Sequence, residues 1–312
     1  MLSILFFILA GFVLLYFGAE FLVRGSSQLA LRFGIKPLVV GLTVVAFGTS
    51  APELVVSVTS GLKGFGNLAI GNVVGSNIFN IAVILGLSAL IRPIKVHKQV
   101  LRIDAPILVA ISLLLLFLLR DNTVSRFEGV LLTIGIISYV SFTVWYSRRH
   151  PDEVSADDLE LNRRESIFLE LLLVIGGMGM LVVGSNFFVR GAVGLAKLLH
   201  VSEAVIGLTI VAFGTSLPEL ATSVVAALRK QEDIAVGNII GSNIFNILSI
   251  LGITAVITPL HGQGITMMDL GFMAGIAVLL IPLMLRKFRL GRFDGALLLA
   301  IYGVYLRLLW PK

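Results

Sequence analysis

Residues 41–54 read GLTVVAFGTSAPEL, and residues 207–220 read GLTIVAFGTSLPEL. Twelve of these fourteen positions are identical, at a constant offset of 166. A second pair keeps the same offset: GNVVGSNIFNI at 71–81 and GNIIGSNIFNI at 237–247, identical at nine of eleven positions. The offset also pairs Phe21, Val23, Arg24 and Gly25 with Phe187, Val189, Arg190 and Gly191, and Arg126-Phe127-Glu128-Gly129 with Arg292-Phe293-Asp294-Gly295. Self-similarity at a fixed period, held without a gap from one end of the chain to the other, marks a duplicated unit.

The medium of that unit follows from composition. Of the 312 residues, 57% are hydrophobic and 13% charged, against about 25% charge in an ordinary soluble domain. A membrane-crossing helix needs roughly 20 mostly apolar residues. Segments of that kind are expected near 3–24, 38–62, 68–91, 100–119, 127–147, 167–189, 204–228, 233–257, 268–285 and 293–310. The first lacks the charged start and small-residue cleavage site of a secretory signal, so it reads as a true span. The expected fold is an all-α integral membrane protein of ten transmembrane helices. Residues 1–147 form one five-helix repeat, 148–166 a cytoplasmic linker, and 167–312 the second repeat. An odd number of spans per repeat inverts the second copy in the membrane, a recurrent design of secondary transporters, whose substrate site lies near the midplane between the repeats.

The net charge of +6 fits this topology better than nucleic-acid binding. With the N-terminus outside, most Lys and Arg fall in loops on the cytoplasmic face, including Arg92, Lys95, Lys98, Arg102, Arg286, Lys287, Arg289 and Arg292, as the positive-inside rule requires. The expected location is the cell (inner) membrane, with both termini extracytoplasmic. The linker carries Asp152, Glu153, Asp157, Asp158 and Glu160 without EF-hand spacing, and reads as a solvated connection. There is no cysteine, and the four histidines fall in loops or at helix ends without metal-ligand spacing.

Ionisable groups deep in a membrane are costly and mark function. Glu53 and Glu219 stand at equivalent positions well inside the second and seventh spans, and no basic residue shares their spans' interiors. Glu20 lies near the inner end of the first span opposite the neutral counterpart Asn186, and Asp104 and Asp269 fall near helix starts. Each central glutamate follows a proline. Pro52 has no N–H for the carbonyl of Gly48, nor Pro218 for that of Gly214, so both helices should break there. Ala46-Phe47-Gly48-Thr49-Ser50 and Ala212-Phe213-Gly214-Thr215-Ser216 then offer backbone oxygens and hydroxyls beside each carboxylate, the all-oxygen environment that calcium and sodium prefer. Ser76 and Asn80, and likewise Ser242 and Asn246, are four apart and share a helix face. The glycines at 71, 75, 237 and 241, and Asn72 and Asn238, are read as packing or capping residues.

The paired GTSxPE and GSNxxN motifs resemble the α-repeats of the calcium/cation antiporter superfamily, specifically prokaryotic sodium/calcium exchangers, over the whole chain. The resemblance implies calcium held by Glu53 and Glu219 with backbone oxygens near Thr49 and Thr215. It implies sodium sites using the same glutamates with Ala46, Ala212, Thr49, Thr215, Ser50, Ser216, Ser76 and Ser242, the centre being completed at Asn80 and Asn246. Some members carry aspartate at one of the last two positions, whereas this chain has asparagine at both. The implied partners are calcium and sodium ions and the lipid bilayer, with no cofactor and no enzymatic activity. A proton/calcium antiporter on the same fold is the nearest alternative, and a cation channel a more distant one. No nucleophile–base pair suggests an enzyme.

Overall fold

The computed structural model describes residues 1–150, 166–199, 212–286 and 288–309. It is predominantly helical. In chain order the helices are α1 (Leu2–Arg32), α2 (Pro37–Thr49), α3 (Ala51–Leu62), α4 (Gly66–Ile91), α5 (Val100–Asp121), α6 (Arg126–Arg149), α7 (Ile167–Leu198), α8 (Ala212–Thr215), α9 (Leu217–Leu228), α10 (Glu232–Ile257), α11 (Met267–Leu285) and α12 (Arg292–Leu309). Among the described residues, seven are individually long and apolar enough to cross a membrane, and α2 with α3 makes an eighth if the bent pair is one span. The segment expected at 204–228 is described only from 212 onward, as α8 and α9. The acidic part of the linker, 151–165, also lies outside the described residues.

The proline reading accounts for the bend. α2 and α3 meet at 46°, with Ser50 between them and Pro52 in the first turn of α3. α8 and α9 are interrupted in the same way at Ser216, with Pro218 in the first turn of α9. Both breaks coincide with the residue four before each proline losing its helical hydrogen-bond donor.

Layering follows burial. α4 and α10 are the innermost helices, with 72% and 89% of their apolar windows buried within the protein, whereas α1 and α7 have only 22% and 28%. The main core is built on α4, α5, α10 and α11; a separate smaller one joins α1 and α7 to α2, α9 and the start of α10. α1 and α7 meet along a glycine seam. A Cβ on Gly18 would lie 2.9 Å from the carbonyl oxygen of Gly177, and one on Gly177 would lie 2.7 Å from that of Gly18. Gly11 and Gly184 face each other one step along, again with backbone under 3 Å from a Cβ on Gly11. These glycines recur every seven residues and are repeat equivalents (11 with 177, 18 with 184).

Two short ladders tie the halves together. β1 (Ile94–Lys95) pairs antiparallel with β4 (Arg289–Leu290), and β2 (Thr123–Val124) with β3 (Leu260–His261). Shifting Ile94↔Leu290 by 166 residues, up for one and down for the other, gives Leu260↔Val124, the pair found in the second ladder. The two contacts are one pairing with the halves exchanged.

The glycines read as packing positions are so on α10: Cβ atoms at Gly237 and Gly241 would lie 2.7 Å from Leu38 O and 2.5 Å from Leu42 O. On α4, Gly71 meets only the tip of Ile265, and no described atom lies within 4 Å of a Cβ at Gly75. Their repeat-equivalent neighbours, near 204–208, fall outside the described residues.

Candidate functional site

The two helix breaks bring the motif residues of both halves to one point. Each break interrupts the i to i−4 ladder, so the chain leaves helical geometry just where a hydroxyl residue, Ser50 or Ser216, precedes the proline and the glutamate. Ser50 Oγ donates to Glu219 Oε1 at 2.8 Å, and Ser216 Oγ donates to Glu53 Oε1 at 3.1 Å. Each carboxylate is thus held by the hydroxyl of the other half. Both glutamates are 1% exposed, and neither forms a salt bridge among the described residues.

The flanking helices add a ring of neutral polar groups. Ser76 of α4 is 3.3 Å from Ser216 Oγ. Thr49 Oγ1 donates to Asn238 Oδ1 at 3.0 Å, lies 3.5 Å from Ser242 Oγ, and is 3.3 Å from the carbonyl of Ala46. The Ala46 carbonyl also accepts from Ser50 N at 3.0 Å. Asn80 and Asn246 are both buried, each opening a π-helical stretch, Asn80–Leu85 in α4 and Asn246–Leu251 in α10. Such widened turns concentrate at functional sites because they re-aim side chains out of the ordinary helical register. Asn246 Nδ2 donates to Asn77 Oδ1 at 2.9 Å, and Asn77 Nδ2 to the Asn243 carbonyl at 3.3 Å, which knits α4 to α10. In the second half Thr215 ends α8 half-buried, and Ala212 begins that helix.

What remains unpaired defines the chemistry. Among buried side-chain atoms without a hydrogen-bond partner are Glu53 Oε2, Glu219 Oε2, Asn80 Oδ1 and Asn246 Oδ1. A buried polar atom left unsatisfied costs about 1–3 kcal/mol, more when charged. Asn80 Nδ2 is unpaired as well, but the acceptors outnumber it four to one and two of them are on carboxyls, an excess that calls for positive charge from a ligand. Harder to reconcile with packing alone, the arrangement suits a dehydrated cation bound by oxygen. Among the described residues no three or more His, Asp or Glu are grouped so as to hold a metal ion; the oxygens gathered here are two carboxyls with hydroxyls, amides and carbonyls.

Some residues take roles that sequence reasoning did not give them. Asn72 Nδ2 donates to Ser57 Oγ at 3.0 Å and to the Glu53 carbonyl at 3.3 Å; Asn238 Nδ2 donates to Ser223 Oγ at 2.9 Å and to the Glu219 carbonyl at 3.4 Å. These asparagines brace the first turn that carries each glutamate, beyond packing. The signal was present: Ser57 and Ser223 stand one turn after each glutamate and at the repeat offset. The carbonyl of Gly214, which Pro218 leaves without its helical donor, is taken by the Ser185 hydroxyl of α7. The first-half equivalent of Ser185 is Ala19, so the brace exists once. Asp269 behaves as expected of a helix start, closing a capping box with Thr266. Both aspartates also tie helices together: Asp104, fully buried, accepts from Tyr139 Oη at 2.9 Å and joins α5 to α6, and Asp269 accepts from Tyr305 Oη at 3.0 Å and joins α11 to α12.

Comparison with known proteins agrees with the duplicated architecture. A family model described as sodium/calcium exchanger protein matches residues 3–145 and again 169–310. The chain is 37% identical over 322 residues to a putative antiporter, CaxA, of Alkalimonas amylolytica, covering 100% of both. It is 31% identical to the sodium/calcium exchanger MaX1 of Methanosarcina acetivorans, covering 97% of each. Among solved structures, the sodium-calcium exchanger NCX_Mj superposes with a TM-score of 0.86 at 33% identity, over 100% of this chain and 99% of that one.

Proposed function

The chain belongs to the sodium/calcium exchanger family, a family of multi-pass membrane cation antiporters, and from that premise we propose that it exchanges sodium for calcium at a site built on Glu53 and Glu219. The observation that carries this reading is the pair of buried carboxylates that have no basic partner among the described residues, each with one oxygen unpaired among them and each clasped by a serine of the other half. Two formal negative charges balance one calcium. About three sodium ions among the same oxygens would leave one net positive charge, consistent with electrogenic exchange. Thr49, Thr215, Ser50, Ser216, Ser76, Ser242, Asn80, Asn246 and the carbonyls of Ala46 and Ala212 supply the neutral oxygens.

The ten-span topology with inverted five-helix repeats, 1–147 and 167–312 around a linker at 148–166, belongs to the same reading. It is supported by the exchanged ladders and by the exchanged Ser–Glu contacts, both of which are what a two-fold relation between halves would produce. Five spans per half would set that axis in the membrane plane, with both termini extracytoplasmic and the Arg- and Lys-rich loops inside.

Alternating access follows from charge. Bare carboxylates resist dehydration, so an empty site opposes movement through the apolar barrier, whereas a neutralised one does not. The moving element is the α1–α7 pair, whose contact has backbone where side chains would interlock and whose apolar core is distinct from the main core and meets α10 only at its start, at Ile234 and Ala235. Ions bound from one face would be released to the other as the pair slides.

The test is calcium-45 uptake into proteoliposomes loaded with sodium, beside matched vesicles loaded with potassium or carrying a proton gradient. Uptake driven only by the outward sodium gradient is expected. Uptake driven by protons alone would replace sodium with proton coupling at the same carboxylates, and no gradient-driven uptake would overturn the calcium assignment.

A further inference from the structure

Away from the ion site, Arg286, Arg289 and Arg292 line a cavity of about 450 Å³ with Pro93, Gly291, Phe293 and Asp294. The three guanidinium groups are exposed and carry no acidic partner among the described residues. The one carboxylate in the wall, Asp294, accepts from Gly291 N at 2.7 Å and is itself buried, so its charge is turned into the loop rather than onto the arginines. The walls are fixed: Ile94↔Leu290 and Lys95↔Arg289 pair in a ladder, and Val96 N donates to the Phe288 carbonyl at 2.8 Å. Lys95 pairs with Arg289 in that ladder without lining the cavity, and its backbone N–H donates to Glu232 Oε2 at 2.8 Å. The cavity lies at the ends of two apolar helices; Phe293 in its wall is 72% exposed, and Leu285 and Phe288, next in the chain to the lining residue Arg286 and to Arg289, are exposed as well.

The repeat supplies an internal control. A positive-inside bias alone would explain scattered arginines, but here the other copy keeps only part of the basic set: Arg286 and Arg292 recur as Arg120 and Arg126, and the charges on the ladder do not recur. Arg289 corresponds to Thr123, Lys287 to Asp121 and Lys95 to His261. Of the two arginines kept, Arg120 stacks on Phe117 at 5.0 Å. The fold makes the supporting ladder twice, and the sequence has charged only the copy on the face that the basic loops assign to the cytoplasm.

We propose that the cavity lined by Arg286, Arg289 and Arg292 binds the phosphate of an anionic phospholipid, with its acyl chains lying along Leu285, Phe288 and Phe293. Guanidinium forks match phosphate oxygens, and basic pockets at the cytoplasmic ends of membrane helices attract anionic headgroups. A soluble phosphate would satisfy the arginines but leave the apolar rim without a purpose, which is why the lipid is the occupant.

Native mass spectrometry of the protein purified in neutral detergent and titrated with dioleoyl phosphatidylglycerol tests this. Wild type should retain one lipid more than the Arg286→Gln/Arg289→Gln/Arg292→Gln variant, whose affinity should fall roughly a hundredfold, at about fivefold for each basic residue near the headgroup. Arg120→Gln/Arg126→Gln, which removes charge from the equivalent positions on the other face, should retain lipid like wild type. Equal loss in both variants would reduce the effect to net charge and overturn the proposal. So would complete displacement of the lipid by millimolar inorganic phosphate, which would make this a site for soluble anions. Lipid retention that appears only after the linker acids Asp152, Glu153, Asp157, Asp158 and Glu160 are neutralised would make the linker the occupant and overturn the proposal as well. A wild-type stoichiometry unchanged in the triple variant, with both proteins monodisperse, would also refute it.

Discussion

Ser50 of the first half donates its hydroxyl to Glu219 of the second at 2.8 Å, and Ser216 returns the contact to Glu53 at 3.1 Å. The site is therefore not two half-sites side by side. Each carboxylate is fixed by a residue 163 or 169 positions away, so neither half can move at its helix break without altering the oxygen set of the other. That coupling suits a transporter in which occupancy of one centre controls the geometry of both repeats.

Neutralising either glutamate should abolish exchange. Glu53→Gln and Glu219→Gln keep size and one acceptor oxygen but remove half the charge that balances a divalent ion, and desolvating an unbalanced cation costs several kcal/mol. Sodium-dependent calcium-45 uptake should fall at least a hundredfold in each, with unchanged expression and monodispersity. Activity within threefold of wild type in either variant would remove that glutamate from the site.

Removing the clasping hydroxyls should weaken the ion rather than destroy the protein. A hydrogen bond to a charged group contributes about 1.5–3 kcal/mol, so Ser50→Ala and Ser216→Ala should each raise the half-maximal calcium concentration roughly ten- to a hundredfold. Because the serines serve exchanged carboxylates, the two variants should resemble each other; a tenfold effect in one and none in the other would show that the crossed contacts are not functionally equivalent.

The glycine seam gives a prediction with its own control. Gly177→Ala sets a Cβ 2.7 Å from the Gly18 carbonyl, and the helices must separate to admit it. Close-packed interfaces transmit such shifts, so turnover should drop about tenfold or more while equilibrium calcium binding changes little. Gly176→Ala, one residue earlier where no described atom lies within 4 Å of the new Cβ, should exchange at the wild-type rate. Equal rates in both variants would detach the seam from the transport step.

Much of this was legible in the sequence because the chain states its design twice. The offset of 166 identified the duplicated unit, the prolines located the breaks, and the absence of any basic residue near Glu53 and Glu219 in their spans singled them out as the candidate site. What stayed hidden depends on which helices meet. Nothing in the spacing of Asp104 and Tyr139 says that they bond across α5 and α6, and the roles of Asn72 and Asn238 emerge only when Ser57 and Ser223 are seen within reach. The glycine seam was readable as a seven-residue period in each half, but its partner was not, since a smooth stripe does not say what lies against it.

The last prediction concerns an asymmetry. Arg229, just past α9, grips Glu20 of α1 with contacts of 2.8 and 2.7 Å, while the equivalent positions hold Lys63 and Asn186, which cannot form the pair. Burial of neither member is complete, and the guanidinium, already cationic, is held still more firmly protonated by the carboxylate beside it. If the two access states are related by exchanging the conformations of the halves, only one of them contains this tie. A surface pair of this kind is worth about 0–1 kcal/mol, so Glu20→Gln should shift the balance of states by no more than about fivefold. The shift should appear as a changed ratio of half-maximal calcium concentrations at the two faces, measured in vesicles of fixed orientation, and should shrink in wild type as ionic strength rises. Asn186→Glu, which offers Lys63 a partner at the matching position, should move the ratio the opposite way. If both substitutions move it in the same direction, the pair is not selecting between exchanged states.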